Sequence, residues 1–224
     1  AGSGSIGTKN DKNMESCILA RHLFTQYYDQ EEFDCFSLVP QIPPDQAVPA
    51  PYHPAGPRGA PDRWHPDWPT VNAEGWFVQA TLALVRDLVA NPRLHIDPDR
   101  VYFSGFSYGG KACWEFLKAD PDLFAAAVCG GGWAIGPAYS KPIGAGLEQL
   151  AREAARYARV PVLIFAGEKD PMNPGSRAVH EAIEAAGGTS RFVEIPGAEH
   201  LPSASRGWRD PATLRWLFQQ RRTA

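Results

Sequence analysis

The stretch SGFSYGG at 104–110 sets Ser107 between Gly105 and Gly109 where a strand-like run, Val101-Tyr-Phe-Ser, turns into a helix-like one. A serine hydroxyl is a poor nucleophile until a base takes its proton, and that base needs a third group to fix its tautomer. Gly105-Phe-Ser107-Tyr-Gly109 fits the GxSxG nucleophile elbow, in which the serine occupies a strained strand-to-helix turn and the glycines let neighbouring backbone pass close by. A plain small-residue turn would show the same letters. The strand before it and the helix after it favour the nucleophile.

On such an elbow the partners come in the order serine, acid, histidine. Asp170 follows the apolar run VPVLIFAG (160–167), at the carboxyl end where open α/β sheets place their sites. His200 closes IPGAEH after the last strand-like run. Glu168 is the alternative acid, and Asp170 could instead cap the following helix, although Asn173 is better placed for that. Of the other histidines, His22 and His180 fall on predicted helices, His95 precedes the nucleophile strand, and His53 and His65 lie in a proline-rich stretch. Glu199 is expected to face solvent. The N–H of Tyr108, at the start of a helix, is expected to donate to an oxyanion.

The elements that must position these groups alternate between strand and helix. Phe33–Ile42 reads as a buried strand ended by Pro43-Pro44, and residues 14–27 read as helical. Residues 43–71 hold nine prolines with Tyr52, Trp64 and Trp68 among them, which predicts an extended surface loop inserted in the domain. Trp64 and Trp68 are candidates for lining a substrate pocket, or they simply pack. A helix from Asn72 to Pro92 carries Phe77, Ala80, Leu84, Val85 and Leu88. The helix after Ser107 puts Ala112, Cys113, Phe116 and Leu117 on one face and Lys111, Glu115 and Lys118 on the other. Further along come FAAAVCGGGW (124–133), a helix with Leu147, Leu150, Ala151 and Ala154, and the 160–167 strand. A helix capped by Asn173 comes next, then the strand RFVEI, then a helix opened by Asp210-Pro211. This alternation predicts a largely parallel sheet with helices on both faces.

Composition narrows the function classes. The 224 residues carry a formal net charge of -3, so there is no basic footprint for nucleic acid. No apolar run approaches the roughly 20 residues of a membrane helix. Cys17, Cys35, Cys113 and Cys129 form no CxxC pair, which gives no support to a zinc or dithiol site. They are read as small buried hydrophobes, disulfides and export being the alternative. The chain opens with neither methionine nor secretory signal, so its location and oligomeric state stay open.

The run SGFSYGGKACWEFLKADPDLFAAAVCGGG resembles the elbow region of α/β-hydrolase superfamily esterases, notably the phospholipase/carboxylesterase and polyhydroxybutyrate-depolymerase-like groups. Trp114, Pro121, Phe124 and the glycines after Cys129 match in place, PVLIFAGEKDPMNP resembles the acid loop, and GAEH resembles the histidine loop. The likeness covers roughly residues 33–220. It implies a serine hydrolase of small-molecule or polymer-linked carboxylic esters, with Ser107, His200 and Asp170 as its catalytic groups and no metal or organic cofactor. In such esterases a strand ending in His-Gly lies beside the nucleophile strand and leads into the loop that gives the second oxyanion donor. The opening AGSGSIGTKND resembles the loop that such esterases carry after the His-Gly pair. By this likeness residues 1–224 are one N-terminally incomplete hydrolase domain and Ala1 is the second donor; otherwise Ala-Gly-Ser-Gly-Ser is a linker. Two alternatives remain: a prolyl-oligopeptidase-type peptidase, which uses the same elbow and order, and a non-catalytic binding protein on the same scaffold.

Overall fold

A computed structural model describes Cys17, Leu19, Ala20, Leu23 and residues 31–43, 71–135 and 143–222. A 3-10 turn, Glu31–Phe33, is followed by α1 (Trp76–Ala90), β1 (Tyr102–Phe106) and α2 (Tyr108–Ala119). Then come β2 (Ala126–Gly130), α3 (Ala145–Tyr157), β3 (Val162–Gly167) and α4 (Asn173–Ala185). The chain ends on β4 (Ser190–Ile195), α5 (His200–Arg209) and α6 (Pro211–Gln219). The four strands form one parallel sheet in the order β1-β2-β3-β4.

The two inner strands, AAVCG and VLIFAG, are buried at every residue, as expected of parallel strands covered on both faces. Their side chains alternate between the faces. Ala127, Cys129, Val162 and Ile164 join the core made with α1 to α4, including Leu82, Trp114, Phe116, Leu150 and Ile183. Ala126, Val128, Leu163 and Phe165 join the smaller core under α5 and α6, with Trp208, Trp216 and Leu217. This is the parallel sheet with helices on both faces expected from the alternation of elements, and it agrees with the fold that the resemblance implies. β1 has no strand partner on its outer side among the described residues.

Several local expectations are corrected. Phe33–Ile42 is not a strand: Phe33 and Ile42 are buried, but residues 34–38 between them are exposed and Pro40 has no N–H to give a ladder. In α1 the buried residues are Phe77, Val78 and Leu82, whereas Ala80 and Leu84 are exposed, so the buried face keeps Phe77 but is turned away from Ala80 and Leu84. Asn173 does not cap α4; its Nδ2 donates to the Gly167 carbonyl and to Glu194, bracing the end of β3. Asp210 does cap α6, accepting from Ala212 N–H at 2.9 Å.

Glu115 lies on what reads as the polar face of α2, yet it is buried. Lys111 and Lys118 both pair with it, and Lys118 continues to Glu153. Cys113 and Cys129 are buried but not thiols: they form a disulfide joining α2 to β2. Cys17 and Cys35 are free, and Cys35 is exposed rather than buried. Leu19, Ala20 and Leu23 are helical as expected, Cys17 before them is not, and the rest of that predicted helix lies outside the described residues. So does the proline-rich stretch from 44 to 70; Val71, which follows it, is fully buried. No helix among the described residues is long and apolar enough to cross a membrane.

Candidate active site

Ser107, Asp170 and His200 follow the carboxyl ends of β1, β3 and β4. Ser107 has φ 57° and ψ −118°, a backbone conformation that strains a side-chain-bearing residue by roughly 1–3 kcal/mol. Its N–H donates to the Gly130 carbonyl at 2.9 Å and its own carbonyl accepts from Lys111 N–H at 3.0 Å, so β2 and α2 hold the turn from both sides. Gly105 allows the helix to start so close to the strand, since a Cβ there would lie 2.0 Å from the Gly109 carbonyl oxygen.

Although Ser107 flanks the start of α2, its hydroxyl does not cap the helix. It lies 2.9 Å from His200 Nε2. His200 Nδ1 in turn lies 2.8 Å from Asp170 Oδ2. The second carboxylate oxygen, Oδ1, accepts from Met172 N–H at 2.9 Å, so both oxygens of a fully buried carboxylate are engaged. His200 is the first residue of α5, with Pro202 inside the first turn, where a missing N–H is tolerated. Ser203 Oγ donates to the His200 carbonyl at 2.6 Å and steadies that turn.

With Nδ1–H donating to Asp170, the imidazole presents Nε2 as an acceptor for the serine proton. This hydrogen-bonded arrangement is what general-base activation of a hydroxyl requires. Glu168, the alternative acid, instead accepts from Gly197 N–H at 2.7 Å. Glu199 is exposed, as expected. His180 pairs with Ser190 Oγ at the opposite, amino-terminal end of β4. Tyr108 opens α2 directly after Ser107; its hydroxyl accepts a long 3.4 Å hydrogen bond from Val71 N–H. Ala1, Trp64 and Trp68 lie outside the described residues. Among the described residues no three His, Cys, Asp or Glu side chains cluster as metal ligands.

Two supporting groups escape the sequence reading. The Phe106 ring packs against the His200 imidazole, centroids 4.6 Å apart, and is itself stacked on Phe165. Nothing in the order of residues marks a contact between positions 106 and 200. The Met172 N–H on Asp170 is within reach of the sequence, because an aspartate accepting from the N–H two residues on is a common turn.

A family model described as the prolyl oligopeptidase family matches residues 48–135, a segment that includes Ser107 but neither Asp170 nor His200. No curated protein matches the sequence. The crystal structure of a thermostable esterase is similar over 99% of this chain and 53% of its own, with a TM-score of 0.65 and 25% identity. Pyrococcus horikoshii acylaminoacyl peptidase is similar over 64% of this chain and 27% of its own, TM-score 0.51, 18% identity. A Mycobacterium tuberculosis puromycin-hydrolyzing peptidase is similar over 64% and 25%, TM-score 0.50, 22% identity. The chain thus spans about half the length of that esterase and about a quarter of each peptidase.

Proposed function

We infer that this chain, a member of the α/β-hydrolase superfamily, is a serine hydrolase that cleaves carboxylic esters. The observation that carries the reading is the unbroken hydrogen-bonded series from Ser107 Oγ through His200 to the buried Asp170 carboxylate. Ser107 attacks the ester carbonyl while His200 Nε2 takes its proton. Asp170 holds Nδ1–H and stabilises the imidazolium that forms. The Tyr108 N–H donates to the oxyanion of the tetrahedral intermediate. The imidazolium then protonates the departing alcohol, and water, activated by the same histidine, releases the acid and regenerates Ser107. The ester rather than the amide is favoured by the likeness to an esterase over nearly the whole chain.

A second reading has one observation behind it: the prolyl oligopeptidase family match over residues 48–135. A peptidase would use the same groups on an amide. The deciding experiment monitors release from p-nitrophenyl acetate, p-nitrophenyl butyrate and an aminoacyl-p-nitroanilide by the chain and its Ser107→Ala variant. Ester turnover that vanishes in Ser107→Ala, with the anilide untouched, is expected. Anilide turnover of similar kcat/KM would establish the peptidase. Well-folded protein that turns over neither an ester nor the anilide and does not react with a fluorophosphonate would count against catalysis by this chain and favour a binding protein.

A further inference from the structure

The turn after β2 passes directly behind the Asp170–His200 pair, and Gly131 is the residue at the point of contact. A Cβ at Gly131 would lie 2.9 Å from Asp170 Oδ2, 3.0 Å from Phe106 Cε2 and 3.1 Å from His200 Cε1. None of these neighbours is free to retreat. Both Asp170 oxygens are hydrogen-bonded, one to His200 and one to Met172 N–H. His200 Cε1 lies between two engaged ring nitrogens. Phe106 is wedged between His200 and Phe165. Gly131 is itself held in place, its N–H donating to the Phe165 carbonyl at 2.8 Å, and it has φ 48°.

We propose that Gly131 is a positioning residue for the reaction: its bare Cα forms the rear wall that sets the distance between Asp170 and His200. The proposal rests on the assignment of those two residues to catalysis above. The backbone of β2, rather than a mobile side chain, then fixes where the carboxylate and the imidazole sit. A methyl group added at Gly131 has to displace a catalytic group. A misplacement of about 1 Å in such a site lowers turnover by about a hundredfold.

The test uses Gly131→Ala beside Gly187→Ala. Gly187 also has positive φ, 78°, but a Cβ there would meet nothing within 4 Å, so this variant reads backbone strain alone. Both are made in the native chain and in an Asp170→Ala background, and scored by p-nitrophenyl butyrate kinetics, fluorophosphonate labelling and Tm. Gly131→Ala is expected to lower kcat by about a hundredfold with KM within about twofold, while Gly187→Ala keeps kcat within about twofold. In the Asp170→Ala background Gly131→Ala should add less than about threefold, because residues that act as a unit are not additive. Its Tm loss should also shrink there. Should Gly131→Ala fold only when Asp170 is Ala, the collision with the carboxylate is demonstrated directly. Equal losses in both backgrounds, unfolding in both, or a Gly131→Ala indistinguishable from Gly187→Ala would overturn the proposal. An Asp170→Ala variant with native turnover would instead overturn the catalytic assignment beneath it.

Discussion

The backbone N–H of Ala73 donates to the Glu115 carboxylate at 3.1 Å, tying the segment before α1 to the helix that begins after Ser107. Burial opposes ionisation of Glu115, but Lys111 and Lys118 outweigh it and hold its carboxyl below the usual range. A carboxyl whose folded pKa is depressed contributes stability above its unfolded value, about 4.3, and that contribution fades as pH falls through the folded value. Glu115→Gln leaves two lysines without their shared anion, which should cost about 3 kcal/mol at pH 7. Denaturant titrations at pH 7 and pH 3 should show a gap between native and variant that narrows in acid. A gap independent of pH would mean that the charge does not matter.

The disulfide from Cys113 to Cys129 closes a short loop between α2 and β2 behind the elbow, and Cys129 is the register partner of Gly105. Cross-linking over such a loop stabilises by about 3 kcal/mol. Cys113→Ala/Cys129→Ala should therefore unfold at lower denaturant by that amount, and reduction of the native chain should have a similar effect. A thiol count of four in denatured but unreduced protein would refute the bridge itself.

How far the sequence foretells these arrangements depends on how local the cause is. Asp210 capping α6 and the buried run of β3 are decided by neighbours in sequence, and both can be read directly. The GxSxG turn can be read too, because its strand, strained serine and helix are contiguous. Glu115 cannot: its helical spacing matches a solvated face, and its burial comes with the docking of Ala73 on its carboxylate and of Glu153 on Lys118. Nor can α5, a short polar helix whose reason to exist is the packing of Ala204 and Trp208 on Phe165 and its neighbours. Asn173 departs from its expected capping role for a related reason. Its side chain serves the ends of β3 and β4, which are distant in sequence, rather than the helix it begins.

Gly105 separates the two demands of the elbow, a sharp turn and a close approach. A Cβ there meets the Gly109 carbonyl oxygen at 2.0 Å and its carbon at 2.4 Å, both backbone atoms that cannot swing aside. Gly105→Ala must push α2 away from β1 and with it the hydrogen bond from Ser107 N–H to Gly130. Overpacking of this kind costs about 3 kcal/mol, so the variant should be destabilised by at least that much and label poorly with a fluorophosphonate. Native Tm and native labelling together would show that the turn is looser than its geometry.

Asp170→Asn tests the orientation of the imidazole most directly. The aspartate accepts from two donors, His200 Nδ1–H and Met172 N–H. An asparagine has one acceptor oxygen. If that oxygen stays on His200, the amide NH2 faces the Met172 N–H, donor against donor in a buried site. If it turns to Met172, the NH2 donates to Nδ1, the imidazole carries its proton on Nε2, and Nε2 no longer accepts from Ser107. Neither arrangement supports the reaction, and the expected loss in kcat is about ten-thousandfold with a native-like far-UV spectrum. Glu168→Gln is the control, since an amide oxygen can still accept from Gly197 N–H, and it should keep kcat within about twofold. The reverse result, a collapse in Glu168→Gln with Asp170→Asn within about tenfold of native, would move the acid to Glu168.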